Sequence, residues 1–255
     1  MSQTHVETTH EAQASSTLLG RTALITGAGR GLGAELALAL GRAGLRVVIV
    51  ARNETDLARV VETARNEGSE LHAFAANVAD KRQAHAIAGA ASAHVGPIDL
   101  LIHNASSLGH VPLRRLLDTD CEALEDTLST NVIGAFRLSK IIAGAMVLRR
   151  HGTLVHISSD AAIEAYPSWG AYGLSKAALD HLSRTWAAEL EGTGVRSLSI
   201  DPGEMDTQMH ADAIPDADRS TLTSPREVAT RIVRLLTDTS VKNGDRLIAS
   251  SWSAS

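Results

Sequence analysis

Seven short runs of apolar and β-branched residues alternate with amphipathic stretches from Arg21 almost to the C-terminus, and this alternation leaves few folds open. Runs without a polar face need cover on both sides, as in a parallel sheet whose crossover helices lie on both faces. The strands read as Thr22–Gly27, Arg46–Ala51, Leu71–Ala75, Ile98–His103, Gly152–Ser158, Val195–Asp201 and Arg246–Ala249. Helices fit Leu32–Ala43, Thr55–Glu67, Lys81–His94, Cys121–Arg149, Trp169–Gly192 and Pro225–Thr237, with Pro225 at a first helical position behind Ser224 as N-cap. The expected class is α/β: a doubly wound, seven-stranded parallel sheet flanked by helices on both faces.

A chain of 255 residues, 44% hydrophobic, can bury one large core, since α/β folds of about 200–250 residues are often undivided. No repeat, proline-rich stretch or Gly/Ser-rich linker divides it. The expectation is one domain over residues 19–255, preceded by a flexible tail, 1–18, without the cationic start and apolar centre of a secretory signal. With 24 basic and 29 acidic side chains the net charge is -5, and no Lys/Arg stripe suits a nucleic acid partner. No run of about 18 uninterrupted apolar residues suggests a membrane span. Cys121 is the only cysteine, which rules out an intrachain disulfide and fits a cytoplasmic location. The eleven histidines show no zinc-type spacing, so no metal is expected, and His103, His151 and His156 read as core or loop residues.

The first strand runs into Thr26-Gly-Ala-Gly-Arg-Gly-Leu-Gly33, directly before a helix. Gly27, Gly29, Gly31 and Gly33, with Arg30 and Leu32 between them, let backbone approach a pyrophosphate and aim helix N-terminal N–H groups at it. A glycine-rich turn with no ligand is the competing reading. A dinucleotide site of this Rossmann type that prefers NAD places a carboxylate near the end of its second strand. Here that strand ends Ala51-Arg52, so Arg52, with Arg30, offers guanidinium groups to a 2′-phosphate. NADP(H) is the expected cofactor; solvated surface arginines are the alternative.

Tyr172 and Lys176 stand four residues apart on one helix, and Ser159 precedes the tyrosine by thirteen residues. A phenol with a pKa of about 10 is a poor proton carrier near neutrality. A cation about 5 Å away, at an effective dielectric near 20, favours the phenolate by on the order of 3 kcal/mol, or about two pKa units. Ser159, with Ser158 as the alternative, would donate to a substrate oxygen as charge develops on it. The set implies carbonyl–alcohol redox chemistry on a nicotinamide cofactor.

Together these residues resemble the short-chain dehydrogenase/reductase family from about Leu19 to Ala249. Further matches are Asn104-Ala105 after the fourth strand, Asn131 in the fourth helix, and Asp201-Pro202-Gly203 followed by Thr207. The resemblance implies a tetrad of Ser159, Tyr172, Lys176 and Asn131, the last holding a water that links Lys176 to solvent. It implies that Lys176 also binds the nicotinamide ribose, that Asn104 and Ala105 shape the cofactor site, and that Pro202, Gly203 and Thr207 approach the nicotinamide. Asn77-Val78 stands where the family commonly has an adenine-contacting Asp-Val. His103 and Ser106 depart from the usual N-N-A-G, and the C-terminus lacks the common V-D-G-G. A small carbonyl or alcohol substrate and a homodimer or homotetramer, paired through the fourth and fifth helices, are further implications.

The segments 105–120 and 203–223 follow strand C-termini and are long enough to wall a pocket. Tyr166, Trp169, Ile163 and Glu164 either line that pocket or cover the helix start. Met205 and Met209 belong to an adaptable lid or to a solvated loop. A cofactor-sensing regulator without catalysis is a rival that has no need of all four tetrad residues. A nucleotide-sugar epimerase is another, though only about fifty residues follow Pro202 to build its substrate domain.

Overall fold

The computed structural model describes residues 18–250. The expected tail lies outside the described residues except for Leu18, as do the last five residues of the expected domain. All seven strands form: β1 (Thr22–Thr26), β2 (Arg46–Ala51), β3 (Leu71–Ala75), β4 (Leu100–His103), β5 (Gly152–Ile157), β6 (Val195–Asp201) and β7 (Arg246–Ile248). They make one sheet in the order β3-β2-β1-β4-β5-β6-β7, with every pairing parallel.

The helices are α1 (Gly31–Arg42), α2 (Glu54–Asn66), α3 (Ala84–Val95), α4 (Cys121–Leu128), α5 (Gly134–Arg149), α6 (Gly170–Glu189), α7 (Gln208–Ala213) and α8 (Pro225–Thr237). Successive strand residues point to opposite faces. Ile25, Ile49, Ile102 and Val155 therefore pack with Leu36 and Leu40 of α1 and Ile232 of α8. Leu24, Val48, Leu101 and Leu154 pack on the other face with Ile87 of α3 and Leu138, Ile142 and Met146 of α5. A one-residue slip would exchange these sets, so the pattern pins the register.

Several sequence expectations change. Leu18, assigned to the tail with its polar neighbours, is 4% exposed within the core cluster, and its carbonyl accepts from the Arg21 N–H. The stretch expected as one helix from Cys121 to Arg149 is broken by a π-helical turn, Ser129–Ile133, which carries the buried Asn131. That whole run is long and apolar enough to cross a bilayer by composition, yet 44% of its most apolar window is buried inside the fold. α3 begins at Ala84 rather than Lys81, because the Asp80 carboxylate accepts from the Arg82 N–H at 3.0 Å and holds a turn there. The loop after Gly203 contains α7, whose N-cap Thr207 accepts from the His210 N–H at 3.2 Å. Pro225 opens α8 as expected, but the Ser224 side chain makes no cap bond.

Candidate active site

Because the strands are parallel, the segments singled out in the sequence leave the sheet at one edge. The strand order reverses between β1 and β4, the point at which open α/β sheets form a binding crevice. Asn104 closes that point: its Nδ2 donates to the carbonyls of Thr26 (3.1 Å) and Gly27 (3.0 Å). The backbone N–H groups of Asn104 and Ala105 both donate to Thr26 Oγ1 at 3.2 Å. Gly27 has φ +69, and a Cβ there would lie 2.6 Å from Ala105 Cα. The Gly33 position is filled by the Asn104 amide and the Gly27 carbonyl, so the turn admits no side chain at either place.

The first-turn N–H groups of α1 receive no side-chain cap from Arg30. Arg30 and Arg52 are exposed, and neither guanidinium has a partner among the described residues. Leu32 is buried under the turn. Across the cleft, Thr207 lies within van der Waals reach of the position a Gly31 side chain would occupy. Asn77 forms a closed turn, its N–H donating to Gln83 Oε1 (2.8 Å) and its Oδ1 accepting from the Ala79 N–H (3.1 Å). Val78 beside it is buried. Pro202 is buried too, and the Gly203 N–H donates to Asp201 Oδ1 at 3.0 Å. A cradle without side chains, with two unpaired cations at its rim, fits a phosphorylated dinucleotide.

Tyr172 and Lys176 point the same way from α6. Lys176 Nζ lies 5.5 Å from the centre of the Tyr172 ring and donates to the Ile157 carbonyl at 2.7 Å. Both are buried, at 8% and 2% exposure. Burial pushes the phenol up to about 12, with the Asp201 and Asp160 charges acting the same way and the Ser159 and Ser106 hydroxyls opposing them. Desolvation thus sets the direction of the shift, opposite to the lowering expected from the lysine spacing. Burial also brings Lys176 down to about 8, against the pull of Asp180 and Asp201.

Ser159 Oγ donates to Asp160 Oδ1 at 2.8 Å, and Asp160 Oδ2 accepts from the Tyr166 hydroxyl at 2.9 Å. The Trp169 ring meets Tyr172 edge-on at 5.8 Å. Asn131 accepts from the Ser107 N–H (2.7 Å) and donates to the Ser107 carbonyl (2.9 Å) and Ser175 Oγ (2.8 Å). It ties the β4 loop to α6, and both its amide hydrogens are engaged. A cavity of about 260 Å³ opens beside Ser159 and Tyr172, and Trp169, Tyr166, Met205 and Met209 are among its lining residues. Ile163 is exposed and, with Glu164, is not part of that lining.

Sequence reasoning missed several contributors. Asp160 was legible as a carboxylate next to Ser159. Arg246 carried no local signal, and Ser106 was noted only as a departure from the family pattern; His103 and His156, expected in the core or a loop, are buried and face each other across β4 and β5 with ring centres 4.9 Å apart.

The fold and this edge define a nicotinamide-dependent oxidoreductase of the Rossmann class, acting between carbonyl compounds and alcohols. The family model described as short chain dehydrogenase matches residues 21–218. The 3-oxoacyl-acyl-carrier-protein reductase FabG of Thermotoga maritima is 29% identical, over 88% of this chain and 93% of its own. A short chain dehydrogenase structure from Salmonella enterica serovar Typhi superimposes with a TM-score of 0.84 at 29% identity, over 91% and 96% of the two chains. An actinorhodin polyketide ketoreductase variant solved with NADPH gives 0.81 at 26% identity, over 89% and 95%. The chain belongs to the short chain dehydrogenase family, whose members use nicotinamide cofactors on small molecules and commonly oligomerise.

Proposed function

We propose that the protein is an NADP(H)-dependent reductase of a ketone or aldehyde, reversible to alcohol oxidation, with Tyr172 as the proton donor. One observation carries this reading: Tyr172 and Ser159 line one cavity, with Lys176 Nζ 5.5 Å from the Tyr172 ring centre, at the sheet edge that also holds the glycine turn. When bound, NADPH supplies the hydride that reduces the carbonyl carbon. Gly27, Gly29, Gly31, Leu32 and Gly33 hold its pyrophosphate, and Arg30 and Arg52 take the 2′-phosphate. Asn77 and Val78 flank the adenine, and Asn104, Ala105, Pro202, Gly203 and Thr207 the nicotinamide end.

Tyr172 gives its proton to the substrate oxygen. A phenol held well above neutrality by burial stays protonated at pH 7, which suits the reducing direction. Ser159 turns its hydroxyl from Asp160 to the substrate oxygen and steadies the charge that develops there. Lys176 holds the cofactor ribose and favours the phenolate once the proton has left. Any water linking Lys176 to solvent is held by the Asn131 carbonyl oxygen, since the amide hydrogens are engaged.

The cavity lining includes Asp160, Glu204 and Asp201 but neither Lys nor Arg, which favours uncharged carbonyl compounds over carboxylated or phosphorylated ones. A panel of ketones and aldehydes, with aromatic and bicyclic members to match Trp169 and Tyr166, is to be followed by NADPH absorbance. Tyr172→Phe should lower kcat about a thousandfold while leaving NADPH binding within twofold of wild type. Turnover retained in that variant refutes the assignment. We further place the protein in the cytoplasm as a homodimer or homotetramer paired through α5 and α6, where Phe136 and Leu174 are exposed. Light scattering of the purified protein tests the assembly.

A further inference from the structure

Arg246 reaches the candidate site from β7, one of the two edge strands of the sheet. Its Nε donates to Asp180 Oδ2 on α6 at 2.8 Å. Its Nη2 donates to Asp201 Oδ2 at the end of β6 (3.1 Å) and to the backbone carbonyl of Ser159 (2.9 Å). The remaining Asp180 oxygen accepts from Ser199 Oγ at 2.7 Å. All three charged side chains are largely buried, Arg246 at 17%, Asp180 at 5% and Asp201 at 7% exposure.

The charges of the same two carboxylates act on Lys176. Asp180 lies one turn along its own helix and Asp201 on β6, while His156 of β5 and the Tyr172 ring approach from the other elements. Buried carboxylates that lose their cation are strongly unfavourable and turn to whatever positive charge remains. A planar guanidinium can serve three acceptors in fixed directions at once; an ammonium on a flexible stem cannot.

On the proton-transfer reading above, we propose that Arg246 is a positioning residue of the reaction. It clamps the Ser159 backbone, which sets where that hydroxyl points, and it keeps Asp180 and Asp201 paired, leaving the Lys176 charge free to act on Tyr172.

The chain has four lysines, Lys81, Lys140, Lys176 and Lys242, so lysine labelled with 13C at Cε gives four resonances, and Lys176→Met assigns the one of interest. Its titration in the wild type should centre near pH 8. In Arg246→Met it should rise by about one unit, and in Arg246→Lys, where the charge remains, it should stay within about 0.3 of wild type. Both variants should lose about tenfold in kcat, on the panel carbonyl turned over fastest, at unchanged NADPH affinity. An unchanged midpoint in Arg246→Met, or an equal rise in Arg246→Lys, overturns the proposal. If Arg246→Met does not fold, Arg246→Gln, which removes the charge and keeps a donor for Ser159, is read against the same outcomes. The titration needs no turnover, so its failure is distinct from failure of the functional reading, which Tyr172→Phe decides.

Discussion

Between β1 and β2 the crevice is built of backbone, whereas beside β5, β6 and β7 it is built of buried side-chain charge. At the glycine turn the essential property is the absence of atoms: Gly27 and Gly33 leave room that Ala105 and Asn104 would otherwise contest. Around Tyr172 the essential property is compensation, with Lys176, Asp180, Asp201 and Arg246 buried together. The first region tolerates few substitutions for steric reasons. The second depends on partners that keep one another neutral, so its failures should appear in titration behaviour before they appear in shape.

The sharpest way to break this contrast is Gly27→Val. A branched side chain at φ +69, pressed on Ala105, should cost about 3 kcal/mol or more in stability and weaken NADPH binding at least a hundredfold. Calorimetric titration and urea unfolding read both, and the Lys176 midpoint should not move. A Val variant that binds NADPH normally would mean that the turn is not the cradle.

Acid should act on the other half. Burial holds His156 down to about 4 and His103 well below its ordinary range, so both are neutral in the folded protein, and the unfolded chain binds more protons below about pH 6.5. Their contribution to stability is complete above that pH and is lost as pH falls towards 4, by on the order of 3 kcal/mol for His156. Urea unfolding between pH 7.5 and 5 measures the slope, and His156→Leu should flatten it. An equally steep slope in that variant would place the acid sensitivity elsewhere.

Asn131→Ala should cost about 2 kcal/mol, because it strands the Ser107 N–H and carbonyl and removes the bond donated to Ser175 Oγ. Thermal unfolding gives the loss, and a change below a few tenths would remove Asn131 as the tie between the β4 loop and α6. The smallest expected effect is at the cradle rim. Arg30→Ala with Arg52→Ala should reduce the preference for NADPH over NADH about tenfold with stability unchanged, read as the ratio of kcat/KM values. A wild-type preference already near one would dismiss both arginines.

Much of the fold was legible in advance because its signals are local. The β5 run Gly152–Ile157 is rich in apolar and β-branched residues, and it forms within one residue of its expected end. The π turn was not legible: Cys121 to Arg149 has a continuous helical pattern, and its distortion places Asn131 inward to meet Ser107 and Ser175, 24 and 44 residues away. Tyr172 and Lys176 were identifiable from their spacing, and they do face one another. The state of the phenol was not, since the spacing counted the lysine charge and left out the burial that raises the phenol.

The positions of the strands along the chain, the glycine turn, the helix faces and the placing of Tyr172 and Lys176 on one side of a helix follow from torsional preference and apolar periodicity, which act over a few neighbouring residues. Packing alone decided that Leu18 joins the core, that His103 stacks on His156, and that Arg246 meets Ser159, Asp180 and Asp201 across 87, 66 and 45 residues of chain. Desolvation and charge pairing depend on what surrounds a group in three dimensions, and that information exists only once distant strands lie side by side.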